Sequence, residues 1–130
     1  MTDEQGTSGA ILVVGGGISG LTAALEAAEV GNDVFLIDRN PSFGGRVAQL
    51  NQYFPKMCPP TCGFEINVRR IRRNPRITVY TLATVEEVSG EAGNFKARIR
   101  KKPRYIDLVK CTSCGECVKV CPVDLPDEYQ

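Results

Sequence analysis

The 130-residue sequence contains no histidine, which removes imidazole both as a metal ligand and as a general base. It has no apolar run near the roughly 20 residues that a bilayer crossing requires. Residues 1–9 are polar and acidic, without the charged-then-apolar order of a secretory leader, so the reading is a cytoplasmic chain with no span of its own. Neither sign of charge is in excess. Sixteen Lys and Arg stand against fifteen Asp and Glu, and a net charge of +1 points to neither nucleic acid nor a membrane surface. Eleven of the sixteen cations do fall between Arg69 and Arg104, which reads first as a solvated basic face and second as a surface for an acidic partner. Six cysteines in a reducing compartment make a poor disulfide framework, and metal or redox chemistry is the better expectation.

The stretch from Ala10 to Gly45 organises the chain. Ala10-Ile11-Leu12-Val13-Val14 has the length and branching of a buried parallel strand. It runs into Gly15-Gly16-Gly17-Ile18-Ser19-Gly20, a Gly-x-Gly-x-x-Gly at a strand end. Leu21, Ala24, Leu25 and Ala28 mark one face of a helix closed by Gly31, and Val34-Phe35-Leu36-Ile37 reads as a second strand ending at Asp38. In such a βαβ unit Gly15 permits the tight turn and Gly17 lets the backbone approach a pyrophosphate. Gly20 brings helix and strand together, and the helix N–H groups face the anion. Asp38 is placed to accept hydrogen bonds from ribose hydroxyls. A glycine turn without a ligand is the competing reading, and the strand, helix and acid around the motif argue against it.

This stretch resembles the extended fingerprint of FAD-dependent oxidoreductases of the glutathione reductase and thioredoxin reductase type. The residues that carry the resemblance are the three spaced glycines, Ala24, Gly31, Val34, Asp38 and the second pair Gly44-Gly45. In those families the second pair lies beside the flavin pyrophosphate, so the resemblance implies FAD rather than NAD. Asp38 repels a 2′-phosphate, while neighbouring Arg39 leaves NADP admissible. The next residue, Arg46, opens a predicted short helix that Pro55 ends. Met57 to Gly63 reads as a proline-broken loop holding Cys58 and Cys62, and Glu65 to Arg73 as a helix. Ile77–Tyr80, Thr84–Val88 and Phe95–Arg100 read as the strands of a small β-meander, with turns at Ser89-Gly90 and Ala92-Gly93-Asn94.

Beyond Pro103, Cys111-x-x-Cys114-x-x-Cys117-x-x-x-Cys121-Pro122 matches the bacterial ferredoxin run. Thiolates suit iron and sulfide because all are soft, and zinc is disfavoured by a spacing too compact for two separated knuckles. In two-cluster ferredoxins the fourth cysteine ligates the other cluster. No second run is present in this sequence, so Cys121 either bends back or serves a cluster completed elsewhere. The expectation is a longer protein cut inside a ferredoxin insert. The predicted architecture is α/β, a Rossmann-type FAD region over residues 1–105 followed by a [4Fe-4S] segment over 106–130, both incomplete.

Taken together, the chain resembles the A-type flavin and iron-sulfur subunit of heterodisulfide reductase and its relatives, among them the flavin subunits of the quinone-interacting membrane-bound oxidoreductase complex. Both cofactor motifs carry this resemblance, together with Ala48-Gln49-Leu50 and the connector Lys101-Lys102-Pro103-Arg104-Tyr105, which is its most distinctive part. Arg46 departs from the histidine often found after the glycine pair. The resemblance implies an FAD and iron-sulfur dependent oxidoreductase subunit that passes electrons between FAD and [4Fe-4S] clusters. Its implied partners are other redox subunits, and any membrane attachment runs through them. A non-catalytic nucleotide- and cluster-binding module for docking or assembly is the alternative. For Cys58 and Cys62 three readings stand: a flavin-facing dithiol, ligands to an additional cluster, or plain buried thiols.

Overall fold

A computed structural model describes residues 9–107 and 109–123. The polar start read as lacking a leader and the last part of the cluster segment, residues 124–130, lie outside the described residues. Strand β1 (Ile11–Val14), helix α1 (Ile18–Glu29) and strand β2 (Val34–Ile37) form the expected βαβ unit. The two strands run parallel, with Ile11 opposite Val34 and Val14 opposite Ile37. The helix ends where Gly31 takes φ +99°, a left-handed conformation that a side chain would disfavour.

Helix α2 (Thr61–Arg73) then leads into strand β3 (Ile77–Tyr80), which pairs parallel with β2 and makes a sheet of order β1-β2-β3. Residues Leu21, Leu25 and Ala28 of α1 share one core with Val34 and Leu36 of β2, Ile71 of α2 and Ile77 of β3. Alternation along the strands sends Phe35 and Tyr80 to the other face, where their rings stack with centroids 6.4 Å apart.

Several sequence expectations change here. Ile77–Tyr80 belongs to the nucleotide sheet, so the meander reduces to a hairpin of β4 (Ala83–Glu91) and β5 (Asn94–Lys101). Alternation identifies a strand but not its partner. The partner was decided by α2, which packs on α1 and returns the chain to the free side of β2. Ser89-Gly90 is not a turn, since both residues pair with β5 and only Ala92-Gly93 lies between the paired Glu91 and Asn94. Gly90 is needed there because a Cβ would lie 2.2 Å from the Asn94 carbonyl oxygen.

The predicted helix after Arg46 shrinks to a 3-10 turn at Val47–Gln49, because Ala48, Gln49 and Leu50 are exposed and no apolar face supports a longer one. Helix α2 starts at Thr61, directly after Pro60, so Cys62 lies in its first turn and not in a loop. Proline is compatible with a helix start, where the missing N–H has no intrahelical partner. Strand β1 is less buried than a central strand: among the described residues it is paired on one side only, and Val14 is 65% exposed.

Among the described residues, four of the eleven basic residues between Arg69 and Arg104 are paired locally with acids. Arg70 pairs with Glu29 and Arg76 with Asp33, while Arg98 and Arg100 on the hairpin pair with Glu87 and Glu86. Such exposed pairs are each worth only about 0–1 kcal/mol, and they set the charge of the surface more than its stability.

Candidate functional site

The glycine loop, which continues β1, is fastened to the end of β2. The N–H of Gly15 donates to the Ile37 carbonyl at 2.7 Å, and Gly15 itself sits at φ +107°. The N–H of Gly16 donates to Asp38 Oδ2 at 2.6 Å, and that of Asn40 to Asp38 Oδ1 at 2.7 Å. Asp38 is only 6% exposed, so these bonds fix its carboxylate at the end of β2. Each oxygen keeps a lone pair for a further donor. The second glycine pair is docked on the first, through a 2.8 Å bond from Gly44 N–H to the Gly16 carbonyl.

The glycines divide into two kinds. A Cβ on Gly20 would lie 1.8 Å from the Gly15 carbonyl oxygen, and one on Gly16 would collide with the Phe43 ring. These two are required by packing. A Cβ on Gly17 would meet nothing within 4 Å, and its φ of −74° is open to any residue. Gly17 is therefore not required by packing, and its lack of a side chain leaves the space before it open. It also begins α1, whose first turn has no side-chain cap and no acid, leaving the N–H groups and the positive end of the helix free for an anion.

Substitution of Gly20 by alanine is accordingly expected to destabilise the fold by about 3 kcal/mol, the upper range for overpacking, because backbone and not a flexible side chain blocks the added methyl. A urea midpoint equal to wild type would contradict this packing.

A cleft of about 430 Å³ runs from Gly15, Gly17 and Gly45 past Asp38 and Arg39 to Ala83–Val85 at the start of β4. Of the residues proposed from sequence, those five line it. Gly16, Gly20 and Gly44 brace it from behind, Ile18 and Ser19 open α1 at its rim, and Arg46 is exposed outside it. Sequence reasoning missed Asn40 and the wall at Ala83–Val85. Asn40 could have been found as the residue two positions after a carboxylate that must be held. The wall carries no local signal, since it reaches the cleft only through the tertiary fold. The cleft suits a dinucleotide: an open cradle at Gly17, an uncapped helix end for the pyrophosphate and a buried carboxylate for a ribose.

The cysteine run lies on exposed chain around the short helix α3 (Glu116–Lys119). Cys111, Cys114, Cys117 and Cys121 are free and exposed, and among the described residues no three potential metal ligands converge. The donor set nevertheless fits an iron-sulfur cluster. Left-handed residues stand on both sides of Cys114, Ser113 at φ 57° and Gly115 at φ 79°, the kind of backbone that turns N–H groups toward an anionic centre. The backbone N–H of Glu116, followed by the Thr112 hydroxyl, holds the Cys114 thiol below its ordinary pKa, so the thiolate that a cluster needs is favoured. Cluster binding supplies much of the order of such loops, because ligation and folding are coupled. Cys58, half-buried, sits in a bridge with Tyr53, and Cys62 is exposed on α2.

Comparison with known proteins agrees with this geometry. The family of NAD(P)-binding Rossmann-like domains matches residues 13–79. The chain belongs to this family. The 4Fe-4S binding domain family matches residues 104–126. The chain is 46% identical over 118 residues to an A-type iron-sulfur subunit of the CoB–CoM heterodisulfide reductase of Methanopyrus kandleri, covering 91% of this chain and 18% of that protein. It is 42% identical over 118 residues to the A-type subunit of the H2:CoB-CoM heterodisulfide, ferredoxin reductase of Methanothermobacter marburgensis, with the same coverage of both chains. Among solved structures, an oxidoreductase from Agrobacterium tumefaciens superposes with a TM-score of 0.56 at 25% identity, over 72% of this chain and 32% of that one.

The resemblance to the A-type subunit of heterodisulfide reductase is thus borne out, over a chain that spans 18% of the length of these two curated relatives. The α/β Rossmann-type fold with a ferredoxin-type segment is borne out as well. FAD and a [4Fe-4S] cluster are the cofactors that this kinship carries. No helix among the described residues is long and apolar enough to cross a membrane.

Proposed function

We propose that this chain is part of an electron-transferring oxidoreductase subunit that holds FAD in its glycine cleft and a [4Fe-4S] cluster on its cysteine run. The supporting observation is how the two motifs are joined. Ala83, in the cleft wall, pairs across the hairpin with Lys101, where the chain departs toward Cys111. The segment that carries the thiolates therefore leaves from beside the proposed flavin site, and ten residues span at most about 35 Å.

In this reading the N–H groups opening α1, from Gly17 through Gly20, receive the pyrophosphate, and Gly15, Gly16, Gly44 and Gly45 shape the backbone around it. Asp38 accepts from the ribose, with Arg39 beside it in the cleft and Arg46 exposed outside, within the site only as the sequence resemblance implies. Cys111, Cys114, Cys117 and Cys121 supply thiolates. FAD exchanges two electrons and a cluster one, so the pair divides two-electron chemistry into single steps. The rest of the task falls to the protein, which binds, orients and spaces the two centres. Partner redox subunits are proposed from the names of the relatives, which are subunits of heterodisulfide reductases; any membrane attachment is proposed to run through such partners.

Anaerobically purified full-length protein is expected to show flavin bands above a broad iron-sulfur absorbance, both bleaching on reduction. Stoichiometric zinc, no acid-labile sulfide and no flavin would overturn the reading.

A further inference from the structure

The connector Lys101 to Tyr105, which sets this sequence apart from a plain flavin fold or a plain ferredoxin, is stitched to the loop that follows Asp38. The N–H of Leu82 donates to the Asn40 carbonyl at 3.0 Å, and that of Lys102 to the Leu82 carbonyl at 2.8 Å. One terminal nitrogen of Arg104 then donates both to the Pro41 carbonyl, at 2.9 Å, and to the Thr81 hydroxyl, at 2.8 Å.

Apolar packing does not replace these bonds. A cavity of about 450 Å³ opens between Pro41, Leu82 and the connector, and Tyr105 is 93% exposed. Past Arg104, every hydrogen bond among the described residues stays within the cysteine segment, from Asp107 to Val123. Arg104 is thus the last fastening between that segment and the nucleotide unit. The loop it grips is the one that also holds Asp38, through Asn40.

We propose that Arg104 is a positioning residue, a clasp that holds the root of the cluster segment against the Asp38–Pro41 loop and so sets the cluster's approach to the flavin. The role follows from chemistry: a planar, permanently charged guanidinium can bridge a carbonyl and a hydroxyl from a fixed direction, and transfer between two held centres depends on their geometry. The proposal rests on the electron-transfer reading above.

The test uses full-length protein and the variants Arg104→Ala and Thr81→Val. Amide exchange at Leu82 and Lys102, which sit beside the clasp, should quicken about tenfold in Arg104→Ala and about threefold in Thr81→Val, the modest effect of losing two solvent-exposed bonds or one. After photoreduction of the flavin, bleaching of the cluster should slow about tenfold in Arg104→Ala, with flavin content, iron content and both reduction potentials unchanged. Wild-type exchange in Arg104→Ala would overturn the clasp. Faster exchange with unaltered bleaching would leave only a structural role and overturn the positioning, and so would loss of flavin. A wild-type protein without flavin or cluster would instead sink the functional reading, and amide exchange, which needs neither cofactor, would still decide whether the clasp exists.

Discussion

Gly17→Val is expected to abolish flavin retention while leaving the fold intact. The added side chain enters open space, since a Cβ at this position meets no atom within 4 Å, and the backbone angles of φ −74° and ψ 178° are ones that valine adopts readily. Stability should therefore stay within about 0.5 kcal/mol of wild type. The open space is the same space that a pyrophosphate must occupy to reach the free N–H groups of α1. Losing two charge-assisted hydrogen bonds at about 1.5–3 kcal/mol each weakens binding by at least about a hundredfold. Flavin per chain after gel filtration, alongside a urea unfolding curve, checks both halves. Full flavin occupancy in a folded variant would show that the nucleotide does not lie over Gly17. The contrast with Gly20→Ala, where the fold itself should suffer, separates cradle from packing within one motif.

Cys114→Ser is expected to remove the iron-sulfur centre. A hydroxyl is a harder and much less acidic ligand than a thiol, and the Glu116 N–H, followed by the Thr112 hydroxyl, favours the thiolate of Cys114. Changes in groups that merely support a metal ligand already cost about 10- to 100-fold in affinity, so loss of the ligand itself should bring iron and acid-labile sulfide below about a tenth of wild type. Flavin content should be unaffected, because the cleft is built entirely from other residues. Iron retained at wild-type levels would remove Cys114 from the ligand set, and flavin lost together with iron would show that the two sites fold as one.

Much of the nucleotide unit was legible from residue order because its determinants are local. Five apolar residues, a glycine turn, a 3.6-residue stripe and a second strand ending at Asp38 lie within about thirty positions, and each follows from backbone geometry that the next few residues impose. The thiolate run was legible as a local spacing that the 4Fe-4S binding domain family shares, although the four sulfurs do not converge among the described residues. Cys62 was misplaced because two prolines read as a break, whereas Pro60 stands where a helix can begin.

The sequence by itself determined the βαβ unit, the two cofactor motifs and their order along the chain. Only the tertiary structure decided that Ile77–Tyr80 joins β2, that Ala83–Val85 closes the cleft and that Arg104 reaches back to Pro41 and Thr81. These contacts join residues far apart in the chain. Alternation marks a strand without naming its neighbour, and a lone arginine carries no signal of the carbonyl it will meet. Their pairing was set when α2 packed on α1 and placed β3, and the hairpin that follows it, beside the end of β2.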